Sequence, residues 1–168
     1  MEKLAGELRA AYDKAPKGGK LAAVQLFAIR NAAALAEIRS SDMNALAVSA
    51  GIGMLYGGEM RLAVHIAHLV QLDFIQGGAR TDRSPRKGAK SNNTTNLSGL
   101  VSELQALFDN TPEGERTAAL CAFGIRHAEK LGSGNLSRLI AESGVHNSVY
   151  FTIRKGRKLA DHVLILVK

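Results

Sequence analysis

The stretch Leu136-Ser-Arg-Leu-Ile-Ala-Glu-Ser-Gly-Val145, followed directly by His146-Asn-Ser-Val-Tyr-Phe-Thr-Ile-Arg-Lys-Gly-Arg-Lys-Leu-Ala-Asp-His162, decides the fold. Its first part sets Leu136, Leu139 and Ile140 at i, i+3 and i+4, the spacing of one buried helix face. Gly144 then gives the chain freedom to turn. Beyond it Val149 and Ile153 stand at i, i+4, while Arg154, Lys155, Arg157 and Lys158 crowd the other side. The pattern predicts a short helix, a glycine turn and a second helix that is apolar on one side and cationic on the other.

Upstream, Leu100, Leu104, Leu107 and Phe108 at i, i+4, i+7 and i+8 mark an amphipathic helix. The next helix announces itself at Thr111-Pro-Glu-Gly-Glu115. Thr111 can cap, Pro112 fits the first helical position where no donor is missed, and Glu113 and Glu115 complement the positive helix end. Its buried stripe is Leu120, Phe123, Gly124, Ile125 and Leu131, with Cys121 on the same stripe as a small hydrophobe. Gly132-Ser-Gly-Asn135 ends it, and Asn135 is placed to cap the helix that follows.

The same plan occurs earlier in the chain. An offset of 96 superposes residues 4–35 on 100–131 with 14 identities, among them Leu8 on Leu104, Asp13 on Asp109, Pro16 on Pro112, Phe27 on Phe123 and Arg30 on Arg126. With the offset reset to 93, Leu46, Gly51, Arg61, Ala67 and Val70 match Leu139, Gly144, Arg154, Ala160 and Val163. The chain is one unit duplicated. Retention of Asp13 with Arg30, and of Asp109 with Arg126, predicts an ion pair within each copy, with a phosphate-contacting arginine as the alternative.

Between the copies no hydrophobic period exists, and Gly, Ser, Asn and Thr dominate. The expected organisation is a helical lobe at 1–76, a flexible linker at 77–98 and a second helical lobe at 99–168. The linker alone carries +4 of the chain's net +7, through Arg80, Arg83, Arg86, Lys87 and Lys90. It is either a solvated spacer or a cationic tether lying along an anionic polymer. Few aromatics, three Tyr and five Phe, together with abundant Ala favour an all-α fold, with room for a short terminal strand in each lobe. The apolar tail Val163-Leu-Ile-Leu-Val167 is costly to leave exposed and is expected to pack on its own lobe or to join two chains.

Ile140-Ala-Glu-Ser-Gly-Val145 resembles the helix-turn-helix core of bacterial regulators. The longer stretch from Thr111 through Phe123, Leu131 and Ile153 to Ala160 is similar to the helix-turn-helix-like domain of small phage, plasmid and restriction-associated proteins. The resemblance implies a sequence-specific binder of double-stranded DNA, a transcriptional regulator whose second helix, starting near His146, enters the major groove. His146, Asn147, Ser148, Phe151 and Thr152 then reach base edges, Phe151 by touching a thymine methyl group. Arg154, Lys155, Arg157 and Lys158 contact phosphates, joined by the linker cations. A homodimer reading a palindrome is the expected assembly.

The first copy departs from this. Its second-helix segment holds Met54, Leu55, Met60 and Leu62 where the second copy is cationic. Those residues either fill the lobe's own core or present a partner surface, which makes a non-enzymatic inhibitor or adaptor the alternative function. No phosphate loop, nucleophile elbow, carboxylate cluster or cysteine pair is present, so neither an enzyme nor a cofactor is expected. His65 and His68 have no third ligand nearby in sequence, and no metal site is expected. One cysteine forms no internal disulfide, and no apolar run approaches the roughly 20 residues that span a bilayer. A cytoplasmic protein without membrane contact is expected.

Overall fold

A computed structural model describes residues 1–72 and 97–165. The expected linker, with its five cations, lies outside the described residues except for Leu97 and Ser98, which stand at the start of the second lobe. Lobe one runs α1 (Glu2–Lys14), α2 (Lys20–Arg30), α3 (Ala32–Ala36), α4 (Ser40–Ser49) and α5 (Tyr56–Ile66). A single 3-10 turn (Ala67–Leu69) then leads into β1 (Val70–Leu72). Lobe two repeats this without a counterpart of α3 or of the 3-10 turn, as α6 (Ser98–Asn110), α7 (Glu113–Arg126), α8 (Ser133–Ser143), α9 (Val149–Leu159) and β2 (Val163–Ile165). The architecture is all-α in two homologous lobes, each ending in one short strand.

Residues shared by the two copies are those that close each lobe. Leu8, Phe27, Leu35 and Leu46 are buried in lobe one, and Leu104, Phe123, Leu131 and Leu139 in lobe two. A repeated cation–π contact braces the first two helices: Lys20 lies 4.6 Å from the Tyr12 ring, and Arg116 lies 4.3 Å from the Phe108 ring. Helix starts differ slightly from expectation. Pro112 is the cap residue of α7 and Thr111 makes no side-chain cap bond. Extended backbone at Pro112 lets its own carbonyl take the Glu115 and Arg116 amides instead. Asn135 lies inside α8, and its side-chain amide donates to the Lys130 carbonyl at 2.9 Å, closing the preceding loop rather than capping.

The expected ion pairs are also re-sorted. Arg126 meets Glu103 at 3.3 Å instead of Asp109, and His127 meets the same carboxylate at 2.9 Å. Asp13 is taken by Arg9, one helical turn away at 2.6 Å. An i, i+4 partner on the same helix is already positioned, whereas Arg30 would have to be brought from another element.

The lobes pack on one another. Ala118, Cys121, Ile125, Leu159 and Val163 of lobe two join the core of lobe one, with α7 against α5 and α9 beside α2. Strands β1 and β2 pair antiparallel with Val70 opposite Ile165, Gln71 opposite Leu164 and Leu72 opposite Val163. At the offset of 93, Gln71 and Leu164 are equivalent positions, so the ribbon is centred on a pseudo-two-fold axis. Paired equivalents are the signature of an isologous interface, here formed within one chain. Of the expected apolar tail, Val163 is buried in the shared core and Val163–Ile165 pair with the opposite lobe's strand, while residues 166–168 lie outside the described residues.

Candidate nucleic-acid interface

Helix α8 stops at Gly144, whose φ of 67° lies in the left-handed region that favours glycine. Gln105 of α6 donates to the Ser143 carbonyl at 3.1 Å, and the Ser143 hydroxyl donates to the Ile140 carbonyl at 3.0 Å. These bonds satisfy a helix end and fix the turn against the lobe. The chain then exposes His146, Asn147 and Ser148 before α9 begins at Val149. His146 shapes this turn itself: its Nδ1 accepts from the Ser148 amide at 3.2 Å. The helix thus starts three residues later than the sequence suggested, and the three polar residues form its approach.

Backbone proximity fixes how α9 sits. A Cβ at Gly156 would lie 2.0 Å from the Cys121 carbonyl oxygen, and one at Gly124 would lie 2.2 Å from the Ile153 carbonyl oxygen. Only glycine at both places permits α7 and α9 to touch main chain to main chain. Val149, Ile153, Gly156 and Leu159 face inward, leaving Phe151, Arg154 and Lys158 as the exposed stripe at i, i+3 and i+7. Phe151 is 64% exposed and stands edge-on to Tyr150 with ring centroids 5.6 Å apart.

The four cations divide. Arg154 and Lys158 are exposed. Lys155 is bound to Glu59 of lobe one, and Arg157 donates to the Leu131 carbonyl. Thr152 is half-buried. Beside the exposed stripe, Asn147, Tyr150 and Phe151 with Ser137 and Ile140 of α8 line a groove of about 270 Å³. Sequence reading did not include Ser137, Ile140 or Tyr150 in the site. Their signal was available in the i, i+3 spacing that points Ser137 and Ile140 toward one side of α8.

In lobe one the equivalent turn also closes on a left-handed glycine, Gly51, with φ of 68°. Its surface is different. Met54 and Leu55 occupy the places of Asn147 and Ser148 and are 59% and 86% exposed. Gly58, Arg61 and His65 take the places of Phe151, Arg154 and Lys158. Met60 and Leu62 are buried, because both stand on the inward face of α5. The four apolar residues expected to act as one partner surface are therefore split between core and exterior.

Among the described residues no three His, Cys, Asp or Glu side chains gather as a metal site would require, and no helix is long and apolar enough to cross a membrane. Two copies of one unit, each built on a glycine-turned helix pair, define a tandem helix-turn-helix-like protein. The family model described as HTH-like domain matches the chain twice, over residues 1–73 and 96–165, and the chain belongs to that family. No curated protein and no solved structure matches it.

Proposed function

We propose that this protein binds double-stranded DNA in a sequence-specific manner and acts as a transcriptional regulator, with lobe two as its main reader. The observation that carries the reading is the single exposed face formed by His146, Asn147, Ser148, Phe151, Arg154 and Lys158. Arg154 and Lys158 supply phosphate contacts, and Asn147, whose carboxamide can donate and accept at once, is suited to an adenine edge. Lys155 and Arg157 already have partners within the protein, so they support the helix rather than the contact. Cations at Arg80, Arg83, Arg86, Lys87 and Lys90 add sequence-independent attraction. No second chain is needed for this reading, because the two lobes already pair as a dimer would.

A salt-titrated mobility-shift assay against random and genomic duplexes tests it. Binding should weaken linearly in log affinity against log salt and select a defined site. Equal affinity for every duplex at all salt concentrations rules the reading out. A second reading, a protein-binding module on lobe one, is favoured by Val48, Met54 and Leu55, which are exposed and apolar. Replacing Met54 and Leu55 by Ser separates the two readings: loss of DNA selection would assign the surface to DNA.

A further inference from the structure

The contact between the lobes is symmetric in backbone and asymmetric in charge. Glu59 of α5 accepts from Lys155 of α9 through Oε1, while its Oε2 accepts from the Gln25 side chain at 3.2 Å. Gln25 is 1% exposed, and the Glu59 and Lys155 side chains are 19% and 33% exposed. These residues are not one another's equivalents. At the repeat offsets Glu59 corresponds to Thr152, Lys155 to Leu62 and Gln25 to Cys121. The pseudo-two-fold therefore carries the ion pair once, and its symmetry mate is a neutral, partly apolar place formed by Leu62 and Thr152.

From this asymmetry we infer that the Glu59–Lys155 pair makes lobe pairing heterotypic: each lobe's inner face accepts the other lobe and rejects a second copy of itself, closing the chain as a monomer. Two lobe-one faces brought together around the same axis would set Glu59 against Leu62 twice. Two lobe-two faces would set Lys155 against Thr152 twice. Either arrangement removes water from two charges and offers no opposite charge in return. Heterotypic pairing leaves no such charge, and the second carboxylate oxygen keeps the Gln25 donor supplied from within lobe one. Apolar equivalents in the rest of the interface, such as Ile29 with Ile125 and Val70 with Val163, suit all three pairings alike. Selectivity then rests on the one charged contact. This holds whatever the protein binds.

The test uses the full chain in four forms: wild type, Glu59→Lys, Lys155→Glu and the exchanged double variant. Cys121, the chain's single cysteine and buried in the shared core, reports opening through its rate of thiol labelling. Wild type and the exchanged variant should be monomers by light scattering and melt alike, since the Gln25 amide can turn its oxygen toward the ammonium placed opposite. Each single variant should melt about 5 °C or more lower. Each should also label Cys121 about tenfold faster and exceed monomer mass at micromolar concentration. Single variants that stay monomeric with slow labelling, an exchanged variant no better than either single, or a dimeric wild type would each overturn the inference. Where a single variant fails to fold, the exchanged variant decides: a folded monomer supports the pairing rule and an unfolded chain rejects it.

Discussion

Where lobe two has Gly124 and Gly156, lobe one has Ala28 and Ala63, and the helix pairs that carry them differ accordingly. Helices α7 and α9 meet backbone to backbone and make the more extensive contact, whereas the equivalent places on α2 and α5 each carry a buried methyl group. The tighter pair presents the polar turn and the cationic stripe. The looser one presents Met54 and Leu55 in the same places. Duplication thus left one backbone plan with two surfaces, and the copy with the more closely clamped helix keeps the charged face. Rigid support suits the contact with phosphates and base edges proposed for that face.

The strongest way to break this comparison is to exchange the packing residues. Gly156→Ala should cost about 3 kcal/mol and lower Tm by roughly 6–12 °C, because the added carbon meets a backbone carbonyl that cannot move aside. Ala63→Gly, the reverse change in lobe one, should cost only about 1 kcal/mol. Equal melting curves for the two variants would show that the lobes do not differ in helix spacing. Next in size is the charge comparison. Replacing Arg154 and Lys158 by Gln should lower the salt slope by about 2 and reduce low-salt DNA affinity about a hundredfold. The matched Arg61→Gln, His65→Gln variant of lobe one should leave both nearly unchanged, and a comparable loss there would make the two lobes equal partners on DNA.

Smaller effects sharpen the comparison at single positions. Asn147→Ala should change base preference at one site position by about 1–3 kcal/mol while sparing nonspecific affinity, as judged by selection from random duplexes. Met54→Ala should leave the selected site as it was. The last effect is confined to alkaline pH and to lobe two, where Cys121 stands in the place of Gln25. Burial, aided by the Glu59 carboxylate and opposed by the Lys155 ammonium, pushes the Cys121 thiol up to about 12 from its ordinary value of 9.0. The unfolded chain releases this proton first, so the stability contributed by the neutral thiol is whole below pH 9. It is lost as pH rises toward 12, at about 1.4 kcal/mol per pH unit. Cys121→Ala should flatten the alkaline limb of the stability curve relative to wild type; identical limbs would place the thiol in contact with water.

Much of this architecture was legible because the duplicated residues are packing residues. Leu8, Phe27 and Leu35 with their counterparts revealed the repeat and also the helix faces that close each lobe. Val149 and Ile153 likewise showed which side of α9 turns inward. Gly156 interrupted that stripe as a residue without a side chain, and nothing in its identity said that a backbone carbonyl waits 2.0 Å from where a methyl would be. The partner of Lys155 was hidden for a different reason. Glu59 lies 96 residues away, and a local charge cluster carries no mark of which members are answered from another lobe. Helix starts shifted by a few residues because backbone carbonyls and turn side chains took bonds that Thr111 and Asn135 were expected to make.

The β1–β2 ribbon joins segments separated by about 90 residues and, with the contacts of α7 on α5 and of α9 on α2, makes the long-range join between lobes that are each knit from neighbouring helices. Closing a loop of that length costs conformational entropy before any contact rewards it, whereas each helical lobe assembles from short-range encounters. The expected order of events is therefore two half-molecules that form early and independently, followed by a single late clasp. Because closure entropy grows only with the logarithm of loop length, doubling the stretch between the two lobes would cost about 0.6 kcal/mol. The clasp is therefore nearly indifferent to how much chain the lobes carry between them, and the intervening residues can change in number and kind without undoing the join.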